Sequence, residues 1–335
     1  MTELASYGRR TLYQRGKLRR ALLDTSVLTT DIIAATRRRE PSSFVAGAQK
    51  GTVRCLIPVH VRDEVPRVLA DRHREGGQFD LERALVLWRS VYEPVLYVVD
   101  TDRLPTTPEA QVLARRDPSD VPMLLLAGVI APVVIIGEDK DLLDSGLTDA
   151  RWRDLRAALG DVGVTEGKMA DLERQASMIV NLTTAVAKFG FEQLTVRRQL
   201  TTAVLLGTVA GAVYWRGRKR ARVPSQRPPV LPVLLGHLST QVSDLASRHT
   251  LGEDRWHQAE LGTPGKTLLH KVARILVSSR EPLTRTAIVE RLGDAAPGAG
   301  HGERMATVRH VLDAYPMFVD VTSRGHWQVG RLGGR

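Results

Sequence analysis

The sequence predicts an α/β protein: an open parallel sheet with flanking helices, then a helical segment, then a smaller module of helices ending in a strand pair. Three observations carry this. Between residues 19 and 146, short apolar runs alternate with longer stretches of helical period, the pattern of repeated βα units. The 335 residues suffice for two ordinary domains, with 43% apolar residues to fill cores and 25% charged residues for their surfaces. A basic stretch with four prolines, residues 216–232, cannot continue a helix and reads as a linker.

Taken in order, the expected strands are residues 21–23, 53–57, 95–99 and 133–136, each a short apolar run. The expected helices between them are residues 26–37, 61–74, 81–92, 108–115 and 121–130. Residues 151–215 read as helical, with helices at 151–159 and 169–188 and a charge-free run at 199–215. From residue 266 the order is helix, short turn, helix, longer helix and two strands around Thr322-Ser323-Arg324-Gly325. The expected divisions are therefore 1–150, 151–215, a basic proline-rich linker at 216–236, and 237–335 with its core at 265–330.

Charge is distributed unevenly. Residues 1–150 hold 21 basic and 21 acidic side chains, so the net +11 resides in residues 151–335, with 27 against 16. A neutral front and a basic back suggest that the back meets a polyanion, either nucleic acid or an anionic membrane surface. The single cysteine, Cys55, excludes an internal disulfide and a thiolate metal cage, and a reducing, cytoplasmic compartment fits. The first 20 residues lack the apolar core of a secretory signal.

The run at 199–215 would form about 25 Å of helix, short of a hydrocarbon core of roughly 30 Å, and threonines and glycines dilute it. Burial is the leading reading, and a membrane anchor is the alternative. In that case the arginines and lysine after residue 215 would keep the linker in the cytoplasm and put the front half outside.

The front half carries the chemistry. Side chains at the carboxyl ends of parallel strands converge on the crevice where strand order reverses. Asp24 follows the first expected strand, Glu64 lies in the helix after the second, Asp120 precedes the helix starting Val121-Pro122, and Asp139 follows the last strand. Each has a plain structural reading. Asp24 and Asp120 could be helix caps, Glu64 an exposed helix residue, and Asp139 and Asp141 a solvated turn. Together, four acids from separate elements would repel one another unless cations neutralise them.

The segments LLDTSVL (22–28), HVRDEVPRVL (60–69), DPSDVPMLLLA (117–127) and VVIIGEDKDLL (133–143) resemble, in order and spacing, the four motif blocks of the PIN-domain nucleases. That resemblance covers residues 19–150. It implies a hydrolase, a metal-dependent ribonuclease, with Asp24, Glu64, Asp120 and Asp139 as catalytic metal ligands. It further implies Asp141 as an accessory acid and Ser26 as the small hydroxyl beside the metal. Asp117 competes with Asp120 for the third position, and Gly137 stands where the family often has a hydroxyl residue. The implied cofactor is Mg²⁺ or Mn²⁺, which prefer hard oxygen ligands and retain waters. The nine histidines show no ligand spacing, so zinc chemistry is not expected.

The C-terminal order of elements resembles a winged helix-turn-helix. That implies a third helix able to enter a DNA major groove, with Arg304, Arg309 and His310 as contacts, and a wing with Arg324, His326 and Trp327. Trp327 also reads as a core residue, and many such modules bind proteins instead. RNA is thus the expected substrate, with DNA reachable through the C-terminal module. An antitoxin-like protein or a second copy of the chain are the protein partners in view. The rival functions are a catalytically idle nucleic-acid-binding regulator and a membrane-tethered nuclease.

Overall fold

A computed structural model describes residues 18–38, 42–144, 148, 151–160, 162–163, 165–166, 244, 247–262 and 265–333. The expected helix at 169–188, the charge-free run at 199–215 and the linker at 216–236 lie outside the described residues. Backbone contacts divide the chain into two units, one of Gly16–Val164 with Thr250–Arg335 and one of Met1–Arg15 with Thr165–His249. The first holds nearly all the described residues, so the front half and the C-terminal module share one unit.

The protein is α/β, built on a mostly parallel five-stranded sheet whose strands, in spatial order, are β4 (Val134–Ile136), β1 (Arg19–Leu23), β2 (Val53–Pro58), β3 (Tyr97–Val99) and β8 (Arg331–Leu332). Strands β1 (Arg19–Leu23), β2 (Val53–Pro58), β3 (Tyr97–Val99) and β4 (Val134–Ile136) are parallel. Every residue of β1, β2 and β4 is buried, as expected for parallel strands covered on both faces. Their apolar side chains fall on the positions where short apolar runs were expected. The chain proceeds from β1 outward to β2 and β3, then returns to place β4 on the other side of β1. This creates a topological switch point between β1 and β4.

Helix α1 (Thr25–Arg38) follows β1 directly and ends with Arg37 and Arg38 beside its last carbonyls, where the helix dipole favours cations. Helix α2 (Ser43–Gln49), which apolar periodicity did not predict, is started by the Ser42 side chain accepting from the Val45 N–H. Helix α3 (Val59–Arg74) leaves β2 with no spacer and packs on α1. The expected single helix at 81–92 is α4 (Leu81–Leu87) continued by a π-helical turn, Trp88–Tyr92, that buries Trp88 and Tyr92. Thr107 caps α5 (Pro108–Leu113). Helix α6 (Val121–Ile130) buries Met123, Leu124, Leu126, Val129 and Ile130 and packs against both β2 and the later helix α10 (Leu268–Ser278). Helix α7 (Lys140–Asp144) follows β4, and residues 152–160 form helix α8. Residues 247–258 are helical and are designated α9.

The C-terminal module contains α10 (Leu268–Ser278), α11 (Arg285–Leu292), α12 (His301–Ala314) and a three-stranded antiparallel sheet. Its strands β5 (Leu283–Thr284), β6 (Phe318–Asp320) and β7 (His326–Val329) take the order β5-β7-β6. Trp327 of β7 packs on the apolar core, in line with its core reading.

Three features fasten this module to the sheet. Arg54, buried on β2, donates to the Leu276 and Ser279 carbonyls at the end of α10 at 2.8 and 2.6 Å, and its guanidinium lies 4.5 Å from the Tyr97 ring centre. Strand β8 (Arg331–Leu332) pairs antiparallel with β3. Leu261 bridges Val133 beside β4. Both edges of the parallel sheet are therefore met by C-terminal backbone, which limits the unpaired N–H and C=O groups they present. Gly330 makes the close approach of β8 possible: its φ is +70°, and a Cβ there would lie 2.7 Å from the Val98 carbonyl oxygen. Among the described residues no helix is long and apolar enough to cross a membrane.

Candidate metal centre

The switch point brings acids together. Asp24 leaves the carboxyl end of β1, and its N–H donates to the Ile136 carbonyl of β4 at 2.9 Å, so the ends of the two strands are locked side by side. Asp139 is the third residue after β4 and opens α7, accepting weakly from the Leu142 N–H. Asp117 and Asp120 come from the turn between α5 and α6. One carboxylate oxygen each from Asp117, Asp120 and Asp139 lies within 4.8 Å of the others, and Asp120 is buried while its two partners are half-buried.

Local structure explains how this trio is held. Asp117 Oδ1 accepts from the Ser119 N–H at 2.8 Å and from the Ser119 hydroxyl, a turn that faces the loop back on itself. Asp120 occupies the N-cap position of α6, yet its side chain makes no capping hydrogen bond. A structural cap would accept hydrogen bonds from the helix N–H groups through its carboxylate, so capping does not account for this residue. Sequence reasoning set Asp117 and Asp120 against each other, whereas the structure brings both beside Asp139.

Asp24 stands beside the trio without belonging to it. It is 7% exposed, and its Oδ2 accepts from the Ser26 N–H at 3.1 Å and from the Ser26 hydroxyl. Its carboxyl is pushed above the usual range, first by burial and also by the Asp139 charge, against the bonds from Ser26 and Thr25 that favour the anion. The capping and site readings of Asp24 thus coexist. Gly137 has a physical reason here: a Cβ at that position would sit 3.3 Å from the Asp24 Cβ, so a larger residue would press on the carboxylate.

The remaining candidates are more varied. Glu64 lies outside the trio; it accepts from the Thr25 hydroxyl at 2.8 Å and pairs with Arg67 at 3.0 Å. Asp141 lies in α7, and its side chain is outside the described set. Ser26 links Asp24 to the β4 loop, because its hydroxyl also accepts from the Glu138 N–H at 2.9 Å. In the C-terminal module, Arg304 reaches the Gly298 and Gly293 carbonyls and Arg309 pairs with Asp313, so both guanidiniums are engaged within the module. Arg324 is exposed on the turn between β6 and β7, and the His326 ring meets the Thr322 hydroxyl at 3.0 Å.

No family model, curated protein or solved structure matches the chain. The site must therefore be read from its own chemistry.

Two groups escaped the sequence reading. His60, half-buried one turn before Glu64, is pushed below the ordinary imidazole range by burial, against the pull of Glu64, Asp24, Asp117 and Asp63. Its i,i+4 spacing to Glu64 just after a strand was the available signal. Arg115 and Arg116, exposed immediately before Asp117, put positive charge at the start of the turn. By contrast the Cys55 thiol is buried and pushed up to about 12, so it forms no thiolate near neutral pH.

The trio fits a hard divalent cation. Its donors are all carboxylate oxygens, a set compatible with hard cations such as Mg²⁺ or Mn²⁺. Oxygens around Mg²⁺ lie about 2.0–2.1 Å from the ion, hence roughly 3–4 Å apart, so a 4.8 Å spread needs only a modest contraction.

Proposed function

We propose that the protein is a divalent-metal-dependent phosphodiesterase acting on RNA, with a PIN-like front half and a C-terminal module of winged-helix type that positions substrate or a partner. The observation that carries this reading is the convergence of Asp117, Asp120 and Asp139 next to Asp24 at the switch point of the sheet. Fold alone would not distinguish this activity from others on similar sheets.

Asp117, Asp120 and Asp139 would hold Mg²⁺ or Mn²⁺, with Asp24 adjacent. A divalent cation supplies Lewis acidity and positive charge where a phosphodiester is cleaved. The protein's own groups supply the rest. Asp24 adds negative charge that a metal-free pocket resists, and Ser26 orients that carboxylate through its hydroxyl. His60 stays neutral near pH 7, so its imidazole can take up or pass on a proton at the pocket rim. Arg115 and Arg116 offer cationic contacts for the phosphates that flank the scissile one.

The test is cleavage of a labelled RNA of mixed sequence by the full chain. Mn²⁺ or Mg²⁺ should support cleavage, EDTA should abolish it, and Asp120→Asn should lower the rate by more than about 100-fold, beyond what outer-shell changes usually cost. RNA binding with no cleavage in Mn²⁺, or wild-type rates in the Asp120→Asn variant, would overturn the assignment and leave a binding protein.

A further inference from the structure

Glu138 lies between Gly137 and Asp139, one residue from the trio, yet both of its carboxylate oxygens are taken up elsewhere. Oε1 accepts from the Trp152 indole Nε1 at 2.5 Å and from the Arg153 guanidinium at 2.9 Å. Oε2 accepts weakly from the Thr30 hydroxyl at 3.4 Å, and that hydroxyl in turn accepts from Arg72 at 3.1 Å. The backbone N–H of Glu138 donates to the Ser26 hydroxyl, whose own proton goes to Asp24. Groups from α1 and α8 therefore converge on a single residue in the loop that carries Asp139, and Arg72 of α3 holds the α1 hydroxyl among them.

The α8 side of this arrangement is itself fixed. Arg156, one turn beyond Trp152, pairs with the buried Asp31 of α1 at 2.5 Å, and the Tyr92 hydroxyl donates to the same carboxylate at 2.9 Å. The Arg153 and Arg156 guanidiniums lie 4.9 and 5.6 Å from the Trp152 ring centre. Helix α8 is thus pinned to α1 through Asp31 and to the Asp139 loop through Glu138.

We infer that Glu138, held by Trp152 and Arg153, is a positioning residue that fixes Asp139 relative to Asp117 and Asp120 and thereby sets the metal affinity of the pocket. The inference rests on the metal reading of the trio. Physically, three residues leaving β4 through a glycine have many conformations, and a ligand carboxylate binds tightly only when its approach is fixed beforehand. Glu138 has the charge of a ligand, but its donors keep it as an anchor. Outer-shell partners of this kind typically change metal affinity 10–100-fold.

The experiment measures Mn²⁺ affinity of the full chain by electron paramagnetic resonance, with thermal stability in EDTA recorded in parallel. It compares the wild type with Glu138→Ala, Glu138→Gln and Trp152→Phe. Glu138→Ala should weaken Mn²⁺ binding by about 10–100-fold. Glu138→Gln, which keeps an oxygen for the Trp152 N–H, should recover most of that loss, and Trp152→Phe, which removes the N–H donor with part of the buried ring, should weaken binding by a smaller factor. Should Glu138→Ala fail to fold, Trp152→Phe decides: Mn²⁺ affinity equal to wild type overturns the inference. Equal affinity in Glu138→Ala, or equal loss in Glu138→Ala and Glu138→Gln, overturns it while leaving the metal reading intact. A wild-type chain that binds no Mn²⁺ overturns both.

Discussion

Asp24 is the residue at which stability and the proposed function oppose each other. Its carboxyl is raised above the unfolded value chiefly by burial. A raised carboxyl contributes stability that is complete below the unfolded pKa of about 4 and is lost as pH rises through the folded pKa. In EDTA, therefore, the wild type should lose thermal stability relative to Asp24→Asn as pH is raised from about 4 to 7, since asparagine removes the buried charge and little volume. A melting-temperature difference independent of pH would contradict this. The same scale shows what could be read from the sequence. Asp24, Asp120 and Asp139 stood at strand and helix ends and were identifiable there. Asp117 was undecided because the order of residues in a turn does not say which oxygens point inward. His60 was not legible because histidine spacing alone gives no signal where the neighbours are carboxylates.

At the scale of elements, the C-terminal strand depends on a backbone that few residues tolerate. Gly330→Ala should destabilise the protein by roughly 2–3 kcal/mol, combining the cost of a left-handed conformation with overlap against the Val98 carbonyl. Chemical denaturation checks this, and Mn²⁺ affinity should be unchanged; unaltered stability would mean that β8 does not need the close approach. The four parallel strands and most front-half helices were legible because buried strands are continuous apolar runs and amphipathic helices repeat at their own period. Helix α2 was not, since seven residues give too little period and its start relies on one serine cap. The π-helical turn was not, because Leu81–Tyr92 has helical periodicity throughout. Strand β8 was not, since two residues carry no pattern and its pairing with β3 joins positions more than 200 residues apart.

For the whole molecule, the C-terminal module belongs to the same compact unit as the front half. Buried Arg54 and the coverage of both sheet edges account for this, and such long-range contacts leave no local signal. The charge asymmetry also becomes more specific. Residues 167–243, which lie outside the described set, contain 11 basic and three acidic side chains. The greater part of the positive excess therefore belongs to that segment and not to the C-terminal module, where Arg304 and Arg309 are engaged internally. If the proposed function holds, the segment 167–243 is the first place to look for contacts to a polyanion, beside any made by the C-terminal module. The central claim is that Asp117, Asp120 and Asp139 share a cation, and Mn²⁺ titration of the full-length chain followed by electron paramagnetic resonance tests it most directly. The account predicts saturable binding that Asp120→Asn and Asp139→Asn each weaken severely; binding that survives both substitutions, or none in the wild type, would contradict it.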